Sequence, residues 1–290
     1  MTSLCIVYLA SPRDSHAYET IPSMRVSRKD MLRGSVRIVK RLFPDTPMYV
    51  FHEDYTSEDM ASFPEGTEFL TVDFTGKEGV VNPGLRRPYG YLMMCRFFSG
   101  ILQSHPAVQR HTHYMRLDDD SYFLEPWISP NRLRLEHDYI YRSLFLDKIG
   151  QQSLFDFTMA FLRKEGLERH FPALKTHLKA NWFFLADGTY SGVAPYNNFH
   201  IASLRLWNNP IVKRYIQAIE DCDGILRYGW MDANIHSMVV FVLSVFCGMT
   251  SYHDSTFGYR HNQHLSRLDS VEVLYDASLP FGPEETTETT

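Results

Sequence analysis

An apolar run from Leu4 to Leu9 gives way to Ser11-Pro12-Arg13-Asp14, and a second apolar run follows at Met48 to Phe51. Between them Leu32, Val36, Val39 and Phe43 recur at helical spacing with Arg and Lys in the gaps, and Pro44 ends the pattern. Strand, helix, strand in that order constrains the fold more than any other feature. It predicts a parallel or mixed sheet flanked by helices, an α/β architecture. Phe69 to Val72 reads as the third strand of that sheet.

The rest of the chain continues the alternation. Residues 76–88, GKEGVVNPGLRRP, read as an irregular loop, and Tyr91 to Leu102 as a helix with Met94, Phe97, Phe98 and Ile101 on one face. His113 to Leu117 and Tyr139 to Tyr141 are predicted strands, and residues 154–164 and 167–179 predicted helices. Trp182 to Leu185 and Phe199 to Leu204 read as strands around a turn at Asp187-Gly188. Asn209-Pro210 opens a helix that closes at Gly224, and a further helix runs from near Asp232 through Phe246. No repeat or linker divides the chain. The expectation is one domain over residues 1–275, with a polar, disordered tail at 276–290.

Composition narrows the function. At 290 residues and 44% hydrophobic, the chain can bury a core that needs no disulfide or metal staple. The formal charge of −5 argues against nucleic acid, whose phosphates demand a basic face, although Arg86-Arg87 can meet a phosphate on a small molecule. Cys5, Cys95, Cys222 and Cys247 include no CxxC pair, so no zinc ribbon or thioredoxin-like motif is present. No charged segment followed by a long apolar stretch opens the chain. The most apolar run, Met238 to Cys247, falls short of the roughly 20 residues that cross a bilayer. The expectation is a soluble protein with no membrane span in this chain.

The sharpest chemical feature is HYMRLDDDSYF at residues 113–123. A buried strand runs straight into Asp118-Asp119-Asp120, at the carboxyl edge where α/β sheets bind ligands. On an extended segment Asp118 and Asp120 share a side, so both can face one hard cation or one ribose. Asp221 and Asp223 repeat the spacing, but they end a helix and read as solvated. His261, in FGYRHNQH, can complete a metal site from far along the chain, whereas His111 and His113 read as surface residues. Asp232 and His236 stand four apart on a helix, either as a metal pair or as an N-cap and a packed imidazole.

Five collinear segments resemble the fungal Golgi α-1,2-mannosyltransferases. They are Tyr91-Leu-Met-Met-Cys95-Arg96-Phe97-Phe98-Ser99-Gly100, Tyr114-Met-Arg116-Leu-Asp118-Asp119-Asp120, Asn198-Phe199-His200-Ile201-Ala202, Gly229-Trp230-Met-Asp232-Ala233-Asn-Ile-His236-Ser237 and Gly258-Tyr259-Arg-His261. The resemblance implies a GT-A fold, with a Rossmann-like nucleotide half over about residues 1–125 and an acceptor half over about 126–275. It implies transfer of mannose from GDP-mannose, with Mn2+ or Mg2+, to a glycan hydroxyl. Residue by residue, it puts Asp120 and His261 on the metal, and Asp118 on the metal, its bound water or the donor ribose. It puts Arg13 near the nucleotide, Tyr91 and Arg96 near the donor phosphates, and Asp232 beside the acceptor hydroxyl.

One position departs from the family, which carries a glutamate where this chain has His200. A neutral imidazole cannot stabilise an oxocarbenium ion as a carboxylate does. His200 therefore stands as a catalytic candidate whose role differs from the family's, with Asp232 and Asp187 as alternative acids. An inverting transfer needs only a general base, so a UDP-sugar such as UDP-xylose with Asp232 as base is a second expectation. Two further readings are a zinc hydrolase built on Asp232, His236 and His261, and a protein that binds nucleotide sugars without turnover. Low cysteine content and no apolar leader lead to the expectation of a cytoplasmic enzyme of a microbe or virus. The Golgi lumen is the alternative, should an anchor have been removed.

Overall fold

The computed structural model describes residues 3–17, 26–123, 132–146, 152–180 and 183–261. The tail read at 276–290 and Trp182 lie outside them. The chain folds as two compact units, each assembled from separate stretches.

One unit comprises Leu4–Asp73, Met115–Leu133 and Thr256–Thr290. Its strands run parallel where Leu4–Leu9 pairs with Met48–His52 and Met48–His52 with Thr67–Thr71. All five residues of Met48–His52 are buried, which is the mark of a central strand covered on both faces. The intervening helix, Arg28–Leu42, starts at Ser27, whose side chain accepts from the Asp30 amide. It turns Met31, Leu32, Val36, Ile38 and Val39 inward and ends at Phe43, just before Pro44. The Tyr8 hydroxyl lies 2.9 Å from Ser35 Oγ, and that hydroxyl in turn donates to the Ser121 carbonyl. This buried relay ties the first strand and the long helix to the segment that follows the triple aspartate.

The other unit comprises Met1–Ser3, Phe74–Tyr114 and Arg134–Ser255. Its sheet is mixed. Phe199–Ser203 runs antiparallel to Tyr139–Tyr141, and Ser251–His253 runs parallel to it. Two long apolar helical segments form its core. Tyr89–Arg96 continues through a π-turn at Phe97–Ile101 into Leu102–Ser104, and Asp232–Ser237 through a π-turn at Met238–Leu243 into Ser244–Cys247. The inserted π-turns re-phase the side chains. Leu92, Met93, Cys95, Phe97, Phe98 and Ser99 are therefore buried together, a broader surface than the expected stripe through Met94 and Ile101.

The strand expected over Trp182 to Leu185 reduces, among described residues, to an isolated bridge between Phe184 and Tyr190. No helix of the described residues is long and apolar enough to cross a membrane.

Candidate active site

The strand His113–Leu117 is buried throughout and stops at Leu117. The next residues close a turn, with the Ser121 amide donating to the Asp118 carbonyl at 3.0 Å, before Ser121–Phe123 begins. This corrects the expectation of an extended Asp-x-Asp: the turn, not strand alternation, aims the side chains. Tyr259–His261 pairs antiparallel with Ser121–Phe123, placing His261 opposite Ser121 and Tyr259 opposite Phe123. The Ser121 and Tyr259 hydroxyls meet at 2.7 Å and help fix that register. The structure thus brings together Asp118, Asp120 and His261, whose nearest ligand atoms all lie within 4.8 Å of one another.

Each acid presents its two oxygens differently. Arg116 donates from Nε and Nη2 to Asp118 Oδ1 at 3.0 and 2.9 Å, leaving Oδ2 4.0 Å from His261 Nε2. Arg28 donates to Asp120 Oδ2, leaving the buried Oδ1 3.0 Å from His261 Nε2 without a well-formed hydrogen bond. Asp119 faces away from His261: its Oδ2 accepts from the Ser11 amide at 2.8 Å and its Oδ1 from Arg28. Two carboxylate oxygens and one imidazole nitrogen suit a divalent cation with oxygen and nitrogen preferences, such as manganese. The buried Asp120 oxygen is a group such a cation would satisfy.

Electrostatics reflects this crowding. Burial pushes the Asp118 carboxyl up to about 6, with Arg116 opposing and the Asp120 charge adding. Burial acts upward on Asp120 as well, but His261 and Arg28 outweigh it and hold the carboxyl below the usual range. Burial would lower His261, yet the Asp120 carboxylate close against it, with Asp118, raises it above an ordinary histidine.

The remaining expected residues fall into both units. Arg13 follows the first strand in the unit that holds the three ligand candidates. Its amide donates to the Asp54 carboxylate at 3.1 and 3.2 Å, and its Nε lies 3.7 Å from both Asp14 and Asp59. Tyr91, Arg96 and Asp232 belong to the other unit. Arg96 Nε donates to Glu220 at 2.7 Å, and the Arg87 guanidinium sits 5.1 Å over the Tyr91 ring. Asp232 opens the helix Asp232–Ser237, is buried, and accepts from Asn197 Nδ2 at 2.9 Å through Oδ2.

Two of the candidate histidines are enclosed. His200 has no exposed surface: Nδ1 is 3.0 Å from the Asn197 carbonyl, Nε2 is 3.2 Å from the Tyr114 hydroxyl, and the ring stacks on Tyr139 at 4.9 Å. In this structure His200 is a packed and hydrogen-bonded residue with no surface open to solvent. His236 is equally enclosed, with Nδ1 at 2.9 Å from the Tyr139 hydroxyl and Nε2 at 2.9 Å from the Phe98 carbonyl. With both nitrogens committed it offers no metal a lone pair, which removes the zinc-hydrolase constellation. Of the alternative acids, Asp187 is exposed and accepts from the amide and hydroxyl of Thr189 at 2.9 and 2.6 Å, closing its own turn.

Arg28 is the residue of this cluster that sequence reasoning missed. It stands 92 residues from Asp120 in an unremarked basic stretch, and no spacing rule links them.

The sequence profile of the family described as glycolipid 2-alpha-mannosyltransferase matches residues 85–276, well over half of the chain. The O-glycoside alpha-1,2-mannosyltransferase omh1 of Schizosaccharomyces pombe is 28% identical over 174 residues, covering 59% of this chain and 43% of that protein. The chain spans about half the length of the curated relatives it matches. Among solved structures, the mannosyltransferase Ktr4p of S. cerevisiae in complex with GDP superposes with a TM-score of 0.65 at 18% identity, covering 90% of this chain and 71% of that one. Core-mannan synthase A (CmsA/Ktr4) of Aspergillus fumigatus in its Mn/GDP form gives 0.62 at 17% identity, covering 90% and 75%. These likenesses show the fold, which is the expected GT-A arrangement of a mixed sheet flanked by helices.

Proposed function

The chain belongs to the glycolipid 2-alpha-mannosyltransferase family, and from that premise we propose that it is a metal-dependent glycosyltransferase that moves mannose from GDP-mannose to a hydroxyl of a glycan. The observation that carries the reading is the convergence of Asp118, Asp120 and His261 at the end of a buried strand. The Mn/GDP form of a structural relative agrees with that cation and that nucleotide.

A bound divalent cation would offset the charge that develops on the departing diphosphate. Asp118 and Asp120 would hold it through the oxygens turned toward His261, and His261 through Nε2. Arg13, in the turn that follows the first strand, is assigned to the nucleotide, and Tyr91 and Arg96 to the donor phosphates. Arg96 would have to exchange Glu220 for a phosphate oxygen, a trade between two charge-assisted hydrogen bonds.

Asp232 is assigned the acceptor: as a carboxylate it takes the proton of the attacking hydroxyl. Asn197 donates to Asp232 Oδ2, which orients the group. With His200 enclosed, the glutamate of the family has no substitute at that position. A general base at Asp232 then asks for no second carboxylate, an observation that favours an inverting transfer as the second reading.

The test is thermal unfolding with GDP- and UDP-sugars, with and without manganese. A ligand present at about 100 times its dissociation constant adds about 2.7 kcal/mol, on the order of 5 °C for a chain of this size. A manganese-dependent shift with GDP-mannose is the expected result. A shift confined to UDP-sugars would overturn the donor assignment, and no shift with any of them would overturn the transferase reading.

A further inference from the structure

Three carboxylates lie side by side in this cluster: Asp119 and Asp120 are 3% and 2% exposed, and the Asp118 side chain is 23% exposed. Without compensation, such a group is strongly self-repelling and costly to remove from water. Two guanidiniums answer it. Arg116 takes one oxygen of Asp118, and Arg28 bridges Asp119 Oδ1 and Asp120 Oδ2. The two guanidiniums cover one oxygen of each of Asp118 and Asp120, and the other oxygens of those two acids face His261.

Arg28 is unusual in where it stands. It opens the 15-residue helix Arg28–Leu42, and the positive end of a helix dipole disfavours a cation in the first turn. Its side chain is 22% exposed, and Nε is buried without a hydrogen-bond partner. Nothing in its own helix explains that placement, and the two acids do.

We infer that Arg28 is a resident counter-ion of the metal site: it ties Asp120 down by Oδ2, holds the acids together before a cation arrives, and weakens the binding of that cation. This rests on the metal site proposed above. The positive charge stays in place when the cation binds, because a guanidinium does not release its proton in this range. A cation would therefore be held by one oxygen each from Asp118 and Asp120, against a standing repulsion from Arg28. Alone the site would bind a cation weakly, and the phosphates of a nucleotide would strengthen that binding.

The experiment compares the wild-type chain with Arg28→Met and Arg28→Lys by thermal unfolding in chelator and in manganese, and by titration of free manganese followed by electron paramagnetic resonance. Arg28→Met is expected to melt several degrees lower in chelator and to bind manganese about tenfold more tightly, because one full charge is gone from beside a divalent ion. Its stabilisation by manganese therefore exceeds that of the wild type. Arg28→Lys keeps the charge and loses the fork, so it melts lower in chelator but binds manganese within about twofold of the wild type. If Arg28→Met folds only with manganese present, the inference is supported. Unchanged or weaker manganese binding in Arg28→Met overturns it, as does tighter binding in Arg28→Lys should the Met variant not fold at all. A wild-type chain that binds no manganese removes the metal reading, and this inference with it. A wild-type chain that binds, with variants that match it, removes this inference alone.

Discussion

Asp120 and Asp232 are both buried carboxylates, held in place for different ends. Asp120 has one oxygen against a cationic side chain and one facing His261, an arrangement that suits capture of a cation. Asp232 has a neutral amide donor at Oδ2, which orients a carboxylate without supplying a counter-charge. The two substitutions should therefore separate binding from transfer. Asp120→Ala is expected to lose more than tenfold in manganese-dependent nucleotide affinity. Asp232→Ala is expected to hold nucleotide within about twofold while transfer slows by 10²- to 10⁴-fold, the usual weight of a positioned base. Isothermal titration with GDP and manganese, alongside a transfer assay, checks both, and an Asp120→Ala chain that binds and reacts normally would remove the metal site. At this scale the sequence was informative about residue types. The triple aspartate was conspicuous, while the burial of His200 and His236 depends on Tyr114, Tyr139 and Phe98, which come from other elements.

The elements followed local rules closely. Leu4–Leu9, Met48–His52, His113–Leu117, Tyr139–Tyr141 and Phe199–Ser203 are short apolar runs bounded by polar or turn-forming residues, and each is a strand. The helix Pro210–Asp221 has Asn209 as its cap, accepting from the Ile211 amide, with Pro210 in its first turn. The short strands Ser121–Phe123 and Tyr259–His261 were not legible, because a pair that short is stabilised by its partner rather than by its own pattern. The π-turns at Phe97–Ile101 and Met238–Leu243 were hidden for a similar reason: packing selects the extra residue per turn. One glycine carries a testable consequence. A Cβ on Gly224 would lie 2.2 Å from Trp230 Cε3, and Trp230 is held by its Nε1 donating to Ser153 Oγ at 2.9 Å. Gly224→Ala is expected to cost about 1–3 kcal/mol in denaturant unfolding, as overpacking does. A variant as stable as the wild type would show that the indole moves freely.

In the whole molecule, each unit gathers stretches far apart in the chain. The unit with the metal-ligand cluster takes residues from Leu4–Asp73, Met115–Leu133 and Thr256–Thr290, and the cluster with its support draws on all three: Ser11 and Arg28, then Arg116 and Asp118–Asp120, then His261. Binding energy gained at such a site is shared by every segment that builds it. Manganese with GDP should therefore slow amide exchange around Ser11, at Asp118–Ser121 and at Tyr259–His261 together, as read by mass spectrometry. Protection confined to Asp118–Ser121 would mean that the remote segments do not support the site. By itself the sequence determined the α/β class, the positions of the main strands and helices, and the acids and the histidine suited to a cation. Those depend on local propensity, hydrophobic period and residue chemistry, all of which are written along the chain. Tertiary structure alone decided that His261 lies opposite Ser121, that Arg28 bridges Asp119 and Asp120, and that His200 is enclosed by Tyr114 and Tyr139. Each of those is a meeting of residues distant in sequence, fixed by strand register and packing that no local pattern encodes.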